Sequence, residues 1–219
     1  MNIEYASYDL ANNEKETKDD LLLALKLKPS VISVFPFYIK PAKSILENFP
    51  NTKLSSIIDY PFGLSDSEAR IKSVEQAIIA GTNIIELVIS LPLLCNRKYD
   101  KLKKELYTIS QLCEYSDVEL RAVVEYKLFS PDLLYKVSYF LQEFGIHIIY
   151  PSANFLMDNI SDNILAAMLI LQKNPKIKVI ANGSAWTNEH IGLILSNTKI
   201  YGYKTSNIYT LEKICQKNL

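Results

Sequence analysis

Residues 65–90 read SDSEARIKSVEQAIIAGTNIIELVIS and contain one complete helix–strand unit. Ser65, followed three residues later by Glu68, predicts the start of a helix, and Gly81 predicts its end. NIIELVIS (83–90) is a short run of apolar and β-branched residues, typical of a strand that is buried on both faces. A helix that leads into such a strand predicts an α/β protein with a parallel sheet.

The same unit repeats along the whole chain. Seven further strands are predicted at 3–10, 30–36, 53–61, 119–127, 146–152, 176–182 and 199–205, and the intervening helices at 18–27, 38–48, 65–81, 97–114, 130–145, 158–173, 187–196 and 207–217. Parallel strands need crossover helices, and no glycine-rich turn of an open dinucleotide-binding sheet follows the first strand. We therefore predict a single (β/α)8 TIM barrel over residues 1–219.

The composition indicates no particular partner. The 24 basic and 24 acidic residues cancel, so charge gives no indication of a nucleic-acid or membrane partner. The N-terminus lacks the pattern of a signal peptide, and the longest nearly apolar run, at 84–95, is too short to span a bilayer. Cys95, Cys113 and Cys215 have neither metal-site nor disulfide spacing. We expect a cytoplasmic protein without metal or cofactor.

The active site of such a barrel lies at the carboxyl ends of its strands, and there the chain resembles the deoxyribose-phosphate aldolase family. The resemblance covers nearly the whole chain and is carried by SVISVFPFYIKPAKSIL (30–46), SIIDYPFG (56–63), AGTNIIELVIS (80–90) and ELRAVVE (119–125), in this order. It implies an enzyme that cleaves deoxyribose 5-phosphate into glyceraldehyde 3-phosphate and acetaldehyde. A lysine on the sixth strand forms the Schiff base in that family, and a second lysine on the seventh strand lowers its pKa.

The resemblance implies that both lysines have been replaced in this chain. YPSAN (150–154) matches the segment of the first lysine and puts Tyr150 in its place, and VIANGSAWT (179–187) puts Ile180 in place of the second. Neither side chain can form an imine. We therefore predict that the Schiff-base retro-aldol reaction is lost and that the protein binds or acts on a small phosphorylated or carboxylated metabolite.

Several acidic and aromatic residues remain candidates for chemistry. The resemblance implies that Glu86 is the acid of the family's proton relay and that Glu125 is a family glutamate. Either carboxylate could instead form a structural pair with Arg121. Tyr150 could act as a general acid, form an aromatic wall for a ligand, or fill the space of the absent lysine.

A relocated lysine is the alternative. Glu125 and Lys127 are two residues apart, so strand alternation predicts that Lys127 lies at the barrel mouth beside Tyr150. An active carbon–carbon lyase with its Schiff base on Lys127 is therefore the second hypothesis.

The resemblance also implies an anion site after the last two strands. It would be formed by Gly183, Ser184, Thr205 and Ser206, where a helix N-terminus favours phosphate, and Lys204 adds a charge that the family pattern lacks there. A capped helix terminus explains the same residues. The resemblance finally implies a homodimer.

Overall fold

The computed structural model describes residues 1–156 and 158–217, and within these ranges eight parallel strands close into a barrel in the order of the chain. The predicted (β/α)8 barrel is thereby confirmed. The strands are β1 (Asn2–Ser7), β2 (Val31–Val34), β3 (Lys53–Ile58), β4 (Ile84–Val88), β5 (Glu119–Val123), β6 (Ile148–Tyr150), β7 (Lys178–Ala181) and β8 (Gly202–Thr205).

The helices of the described residues lie between the strands. They are α1 (Glu14–Leu25), α2 (Ile39–Leu46), α3 (Ser67–Ala80), α4 (Leu91–Cys95), α5 (Tyr99–Tyr115), α6 (Pro131–Gln142), α7 (Ile160–Lys173), α8 (Asn188–Ser196) and α9 (Ile208–Lys217). In the described ranges, no helix has both the length and the apolar character that a membrane crossing requires.

Two local predictions about the helices are corrected. The cap of α3 is Asp66, whose side chain accepts the Ala69 N–H, whereas Ser65 bonds to Asp59 at the end of β3. The predicted stop at Gly81 is confirmed, because Gly81 is the left-handed C-cap with φ 98°. The helix predicted at 97–114 is preceded by the separate short helix α4.

The strands are joined unequally around the barrel. From β1 to β5, neighbouring strands pair over four or five residues, and β8 pairs with β1 over four. The pairs β5–β6, β6–β7 and β7–β8 each extend over only two residues. The part of the wall that runs from β5 through β6 and β7 to β8, here called the weak seam, is therefore joined by the fewest paired residues.

Two apolar clusters hold the fold together. The larger lies between the barrel and its helices and contains the outward residues of the strands, such as Leu87 and Val179. The smaller contains inward residues of β3 to β7, which alternation places on the opposite face. Its buried members are Ile57, Val88, Val123, Ile148, Tyr150, Ala153 and Ile180.

Candidate active site

A layer of charged side chains lies inside the barrel beside the smaller apolar cluster. Glu4 comes from β1, Glu86 from β4, Arg121 from β5 and Lys204 from β8, and all four are buried. Glu86 shares inward parity with Val88, and Arg121 shares it with Val123, so strand alternation brings the charges to the centre. Buried charges need partners, and each of these has at least one.

Lys204 is the primary amine of this layer. Its Nζ forms a short salt bridge with Glu86 Oε2 and donates a hydrogen bond to the Tyr8 hydroxyl at 3.0 Å. Nζ also lies 4.8 Å from the ring centroid of Tyr8 and 4.7 Å from that of Tyr150. The Lys204 side chain is only 5% exposed, so the amine is held at the barrel centre against an acid.

Glu86 is an ionised carboxylate in this setting. Burial alone would raise its pKa, but the Lys204 ammonium, the Ser55 hydroxyl and the more distant Arg121 charge together hold the pKa of Glu86 below its ordinary value. Ser55 Oγ donates to Oε1 at 2.7 Å, and Tyr8 OH donates to Oε2 at 3.0 Å. Glu86 is therefore the ionised partner of Lys204.

Tyr150 is a protonated phenol at the centre of the layer. Its hydroxyl donates to Glu4 Oε2 at 2.8 Å and accepts from Arg121 Nη1 at 2.7 Å. Burial first, and then the nearby Glu4 and Glu86 carboxylates, raise the pKa of Tyr150 well above its ordinary value. The hydroxyl lies 3.5 Å from Glu86 Oε1, which connects the two halves of the layer.

Arg121 does not pair with the carboxylates expected from the sequence. Its guanidinium bonds to Glu4 at 2.8 Å and to Glu119 at 3.0 Å, whereas the direct ionic partner of Glu86 is Lys204. Burial raises the pKa of Glu4 despite the attraction of Arg121. The structural ion pair considered for Glu86 or Glu125 with Arg121 is thus corrected to Arg121 with Glu4.

Lys127 does not lie beside Tyr150. Strand β5 ends at Val123, and residues Tyr126–Leu128 form a 3-10 turn, so the alternation that predicted an inward Lys127 stops too early. Its Nζ lies 3.6 Å from Asp158 Oδ1, and the side chain is 29% exposed. The site thus brings together Glu86 and Tyr150 with Lys204 instead of Lys127.

Glu125 is buried at the barrel mouth and is incompletely bonded. Its Oε2 accepts the Ala153 N–H at 3.2 Å and the Ser152 hydroxyl at 3.3 Å. Its Oε1 is buried and has no hydrogen-bond partner among the described residues. Burial raises the pKa of Glu125 above its ordinary value of 4.5.

We expect a Glu125→Gln variant to gain stability over the wild type as the pH rises. The pKa of Glu125 is higher in the folded protein than its ordinary value of 4.5. The unfolding free energy of the wild type is therefore highest at low pH, where Glu125 is protonated, and falls as the pH rises from 4.5 through the pKa of the folded state. Glutamine does not titrate, so the difference in unfolding free energy should grow between about pH 4 and about pH 8. Urea unfolding at both pH values measures it. The exposed Glu47→Gln variant is the control, and a constant difference would contradict the expectation.

A small cavity opens next to Lys204 at the barrel mouth. Its volume is about 20 Å³, which is enough for a single water molecule. The polar residues that line it are Tyr8, Glu86, Tyr150, Ser152, Asn154, Asn182, Lys204, Thr205 and Ser206.

The five residues of the expected anion site are divided between two places. Lys204, Thr205 and Ser206 line the cavity, and Lys204 contacts Glu86. Gly183 and Ser184 pack under the segment 158–160, because Ser184 N–H donates to the Asp158 carbonyl at 2.9 Å and Ile160 N–H donates to the Ser184 carbonyl at 3.1 Å. A shared anion site for all five stays a prediction.

Gly183 has no room for a side chain under this segment, and Gly183→Ala is expected to destabilise the protein by about 1–3 kcal/mol. An added Cβ would lie 2.7 Å from Ile160 Cα and 2.9 Å from the Asn159 carbonyl carbon, both of which are backbone atoms. Gly192→Ala in α8 is the matched control, since a Cβ there meets nothing within 4 Å. Alanine is a better helix former than glycine, so the control should be stabilised. Equal effects of the two changes on urea unfolding would contradict the expectation.

Comparisons with known proteins place the chain near the aldolases. No family model matches it. It is 27% identical over 148 residues to the deoxyribose-phosphate aldolase of Treponema denticola, covering 65% of this chain and 68% of that protein. It is 28% identical over 156 residues to the enzyme of the same name from Mycoplasmoides gallisepticum, covering 71% and 68%.

Solved structures give the same result for the fold. The deoxyribose phosphate aldolase of Aeropyrum pernix, described as a tetramer, superposes with a TM-score of 0.84 at 16% identity and covers 100% of this chain and 91% of that one. Another solved aldolase reaches 0.86 at 23% identity, with 99% and 96% covered. The chain is thus similar to deoxyribose-phosphate aldolases in sequence and has their fold, as the sequence motifs predicted.

Proposed function

We propose that this chain, a diverged relative of the deoxyribose-phosphate aldolases, cleaves or forms a carbon–carbon bond in a small carbonyl compound through an imine on Lys204. The observation that carries the proposal is the Lys204 amine against Glu86 at the barrel centre, beside the cavity. Imine chemistry needs a primary amine in a water-poor site with an acid–base group within reach. The similarity to curated aldolases supports this reaction class.

The reaction begins with transfer of a proton from the Lys204 ammonium to the Glu86 carboxylate. The amine adds to the substrate carbonyl carbon, and loss of water gives a protonated imine. A base then takes the proton of the β-hydroxyl group, the carbon–carbon bond breaks, and its electron pair moves into the imine to form an enamine while an aldehyde leaves. The enamine takes up a proton at carbon, and water hydrolyses the resulting imine to release the second product and Lys204.

Tyr150 and Arg121 support this chemistry without forming the imine. The Tyr150 hydroxyl is 3.5 Å from Glu86 Oε1, which is a suitable position for passing a proton to or from that carboxylate. Arg121 Nη1 donates a hydrogen bond to the Tyr150 hydroxyl at 2.7 Å and so fixes the position of that phenol.

Reductive trapping tests the proposal. The protein is incubated with acetaldehyde and borohydride, and peptides are mapped by mass spectrometry; we expect one reduced two-carbon adduct, on Lys204. An adduct on Lys127 would instead favour the alternative hypothesis, a lyase whose Schiff base forms on Lys127. The absence of any adduct, with acetaldehyde and with deoxyribose 5-phosphate, would contradict imine chemistry altogether.

A non-catalytic binding protein is the second candidate function. This hypothesis is favoured by the small volume of the cavity, about 20 Å³, and by the direct salt bridge between Lys204 and Glu86. On this view, ion pairs fill the centre of the barrel and leave no room for a substrate. On that hypothesis the parent reaction is lost, Tyr150 fills space, and the trapping experiment gives no adduct.

A further inference from the structure

We infer that the substrate is a small, uncharged, hydroxylated carbonyl compound and not a phosphate ester. The inference rests on the proposed function, since it names the substrate class of the same site. It is carried by the backbone donors after β7 and β8, by the charges around the cavity, and by the polar groups that remain available there.

Three backbone N–H groups after β7 and β8 already have partners inside the protein. Ser184 N–H donates to the Asp158 carbonyl at 2.9 Å. After β8, Asn207 N–H donates to Thr205 Oγ1 at 3.0 Å, and Thr210 N–H donates to Asn207 Oδ1 at 2.9 Å. Phosphates in barrels of this kind are held by N–H groups at these two places. A phosphate that bound through these three N–H groups would have to break existing hydrogen bonds.

A buried carboxylate lies at the same place. Asp158 is 4% exposed, and its backbone carbonyl holds Ser184 N–H. Its Oδ1 accepts the Tyr126 hydroxyl at 2.6 Å, and its Oδ2 accepts Asn163 Nδ2 at 2.7 Å. Lys127, 3.6 Å away, offsets the charge of Asp158, so this pair provides no net positive charge to attract a dianion.

The cavity itself offers no positive charge for an anion. Among the described residues that line it, Glu86 and Lys204 are the charged ones, and they neutralise each other. The protonated imine keeps the single positive charge of Lys204 beside the Glu86 carboxylate, so the pair stays neutral during the reaction. A phosphate group would therefore face a site without net positive charge.

The other polar groups of the cavity match hydroxyl groups. Ser152, Asn154, Asn182, Thr205 and Ser206 are neutral donors and acceptors around the opening. Glu125 contacts Ser152 and Ala153 at the edge of the cavity, and its buried Oε1 has no partner within the described residues. A substrate hydroxyl would supply the missing hydrogen bond. These groups together favour a sugar-like aldehyde or ketone.

A matched pair of substrates tests the inference. Retro-aldol cleavage of 2-deoxyribose is compared with that of 2-deoxyribose 5-phosphate, with release of acetaldehyde as the readout for both. We expect kcat/KM to be at least about tenfold higher for the unphosphorylated sugar, because the cavity offers the phosphate no net positive charge and three nearby backbone donors already have partners. An equal or higher kcat/KM for the phosphate ester would overturn the inference.

A binding measurement separates this inference from the proposed function. If neither sugar is cleaved or trapped, the imine proposal fails, and thermal unfolding with 2-deoxyribose or inorganic phosphate at about 10 mM decides the substrate class. We expect the sugar to raise the Tm and phosphate to leave it unchanged. A saturable rise with phosphate, or no rise with the sugar, would overturn the inference.

A substitution at the exposed Ser206 supplies a further readout. Ser206→Arg adds the missing cation at the cavity edge and is expected to shift the ratio of kcat/KM by about tenfold toward the phosphate ester. Ser206→Gln is the control for size without charge. An unchanged ratio in Ser206→Arg would count against the electrostatic argument and overturn it.

Discussion

A Lys204→Met variant is expected to lose roughly 10³-fold or more in kcat/KM for carbon–carbon cleavage, and to lose the borohydride-trapped adduct completely. Methionine has a similar length and fits an apolar pocket but has no amine to attack a carbonyl. The Lys204 amine is the one that contacts Glu86 Oε2, so we expect no other lysine to replace it. A coupled assay of aldehyde release measures the rate.

Two companion variants make this result interpretable. Loss of Lys204 leaves Glu86 buried without its ionic partner, which can destabilise the fold. Lys204→Arg retains the charge but cannot form an imine, and is expected to be equally inactive. Lys127→Met removes a lysine that lies 3.6 Å from Asp158 and outside the layer, and should keep its activity. Retained activity in Lys204→Met, or its loss only in Lys127→Met, would contradict the assignment.

An Arg70→Ala variant is expected to lose about 3–5 kcal/mol of unfolding free energy. The Arg70 side chain is fully buried, and its Nε donates to Glu105 Oε1 at 2.9 Å. Its other nitrogens bond to Asp59 at the end of β3 and to the Val88 carbonyl, the latter at 2.6 Å. Removing the guanidinium leaves the buried Glu105 without its counter-charge. It also removes the hydrogen bonds that hold the carboxyl ends of β3 and β4 through Asp59 and the Val88 carbonyl.

The same helix provides the matched control for Arg70. Lys72 forms a salt bridge of 2.7 Å with Glu75, but its side chain is 64% exposed. Solvent screens such a pair, and Lys72→Ala should cost about 0–1 kcal/mol. Urea unfolding of both variants measures the contrast, and a loss of similar size in the two would refute the argument from burial.

The alternation of helices and strands was sufficient to predict the barrel, because strands buried on both faces leave a clear apolar signal. The ends of the strands were harder to predict. Asp59 has a left-handed φ of 61°, and after Val123 the chain leaves β5 for a 3-10 turn, where the alternation of side chains no longer applies. For that reason Lys127 was expected at the mouth and is found beside Asp158.

The candidate site could be predicted only in part. The resemblance indicated Glu86 and Tyr150 as candidates, and the Tyr150 hydroxyl lies 3.5 Å from Glu86 Oε1 inside the barrel. Lys204 on β8 and Glu86 on β4 are 118 positions apart in the sequence. Their contact exists because the closed barrel places these two strands opposite each other, and local sequence patterns do not show this. Tyr8 lies one residue beyond the end of β1 but shares the parity of the inward Glu4, so strand alternation would have indicated it. The inward parity of Lys204 with Gly202 was available and would have indicated the amine.

The unequal seams of the barrel have a consequence for hydrogen exchange. Strand β6 contributes two paired residues to each neighbour, whereas β3 to β5 are joined by four or five. Local opening is cheapest where the fewest backbone bonds must break, so we expect the amides of β6 and β7 to exchange before those of β3 and β4 under native conditions. Exchange followed by mass spectrometry measures this order, and uniform protection around the barrel would contradict it.

The weak seam also lies beside the cavity, since Tyr150 of β6 and Lys204 of β8 both line it. Opening of this side widens a space of about 20 Å³ that a sugar cannot enter when the wall is closed. Substrate entry is then governed by the frequency of this opening, and association should be slower than diffusion allows. We therefore expect local opening of the weakly bonded side to make the Lys204 amine more accessible, while the well-bonded half of the barrel keeps Glu86 in place.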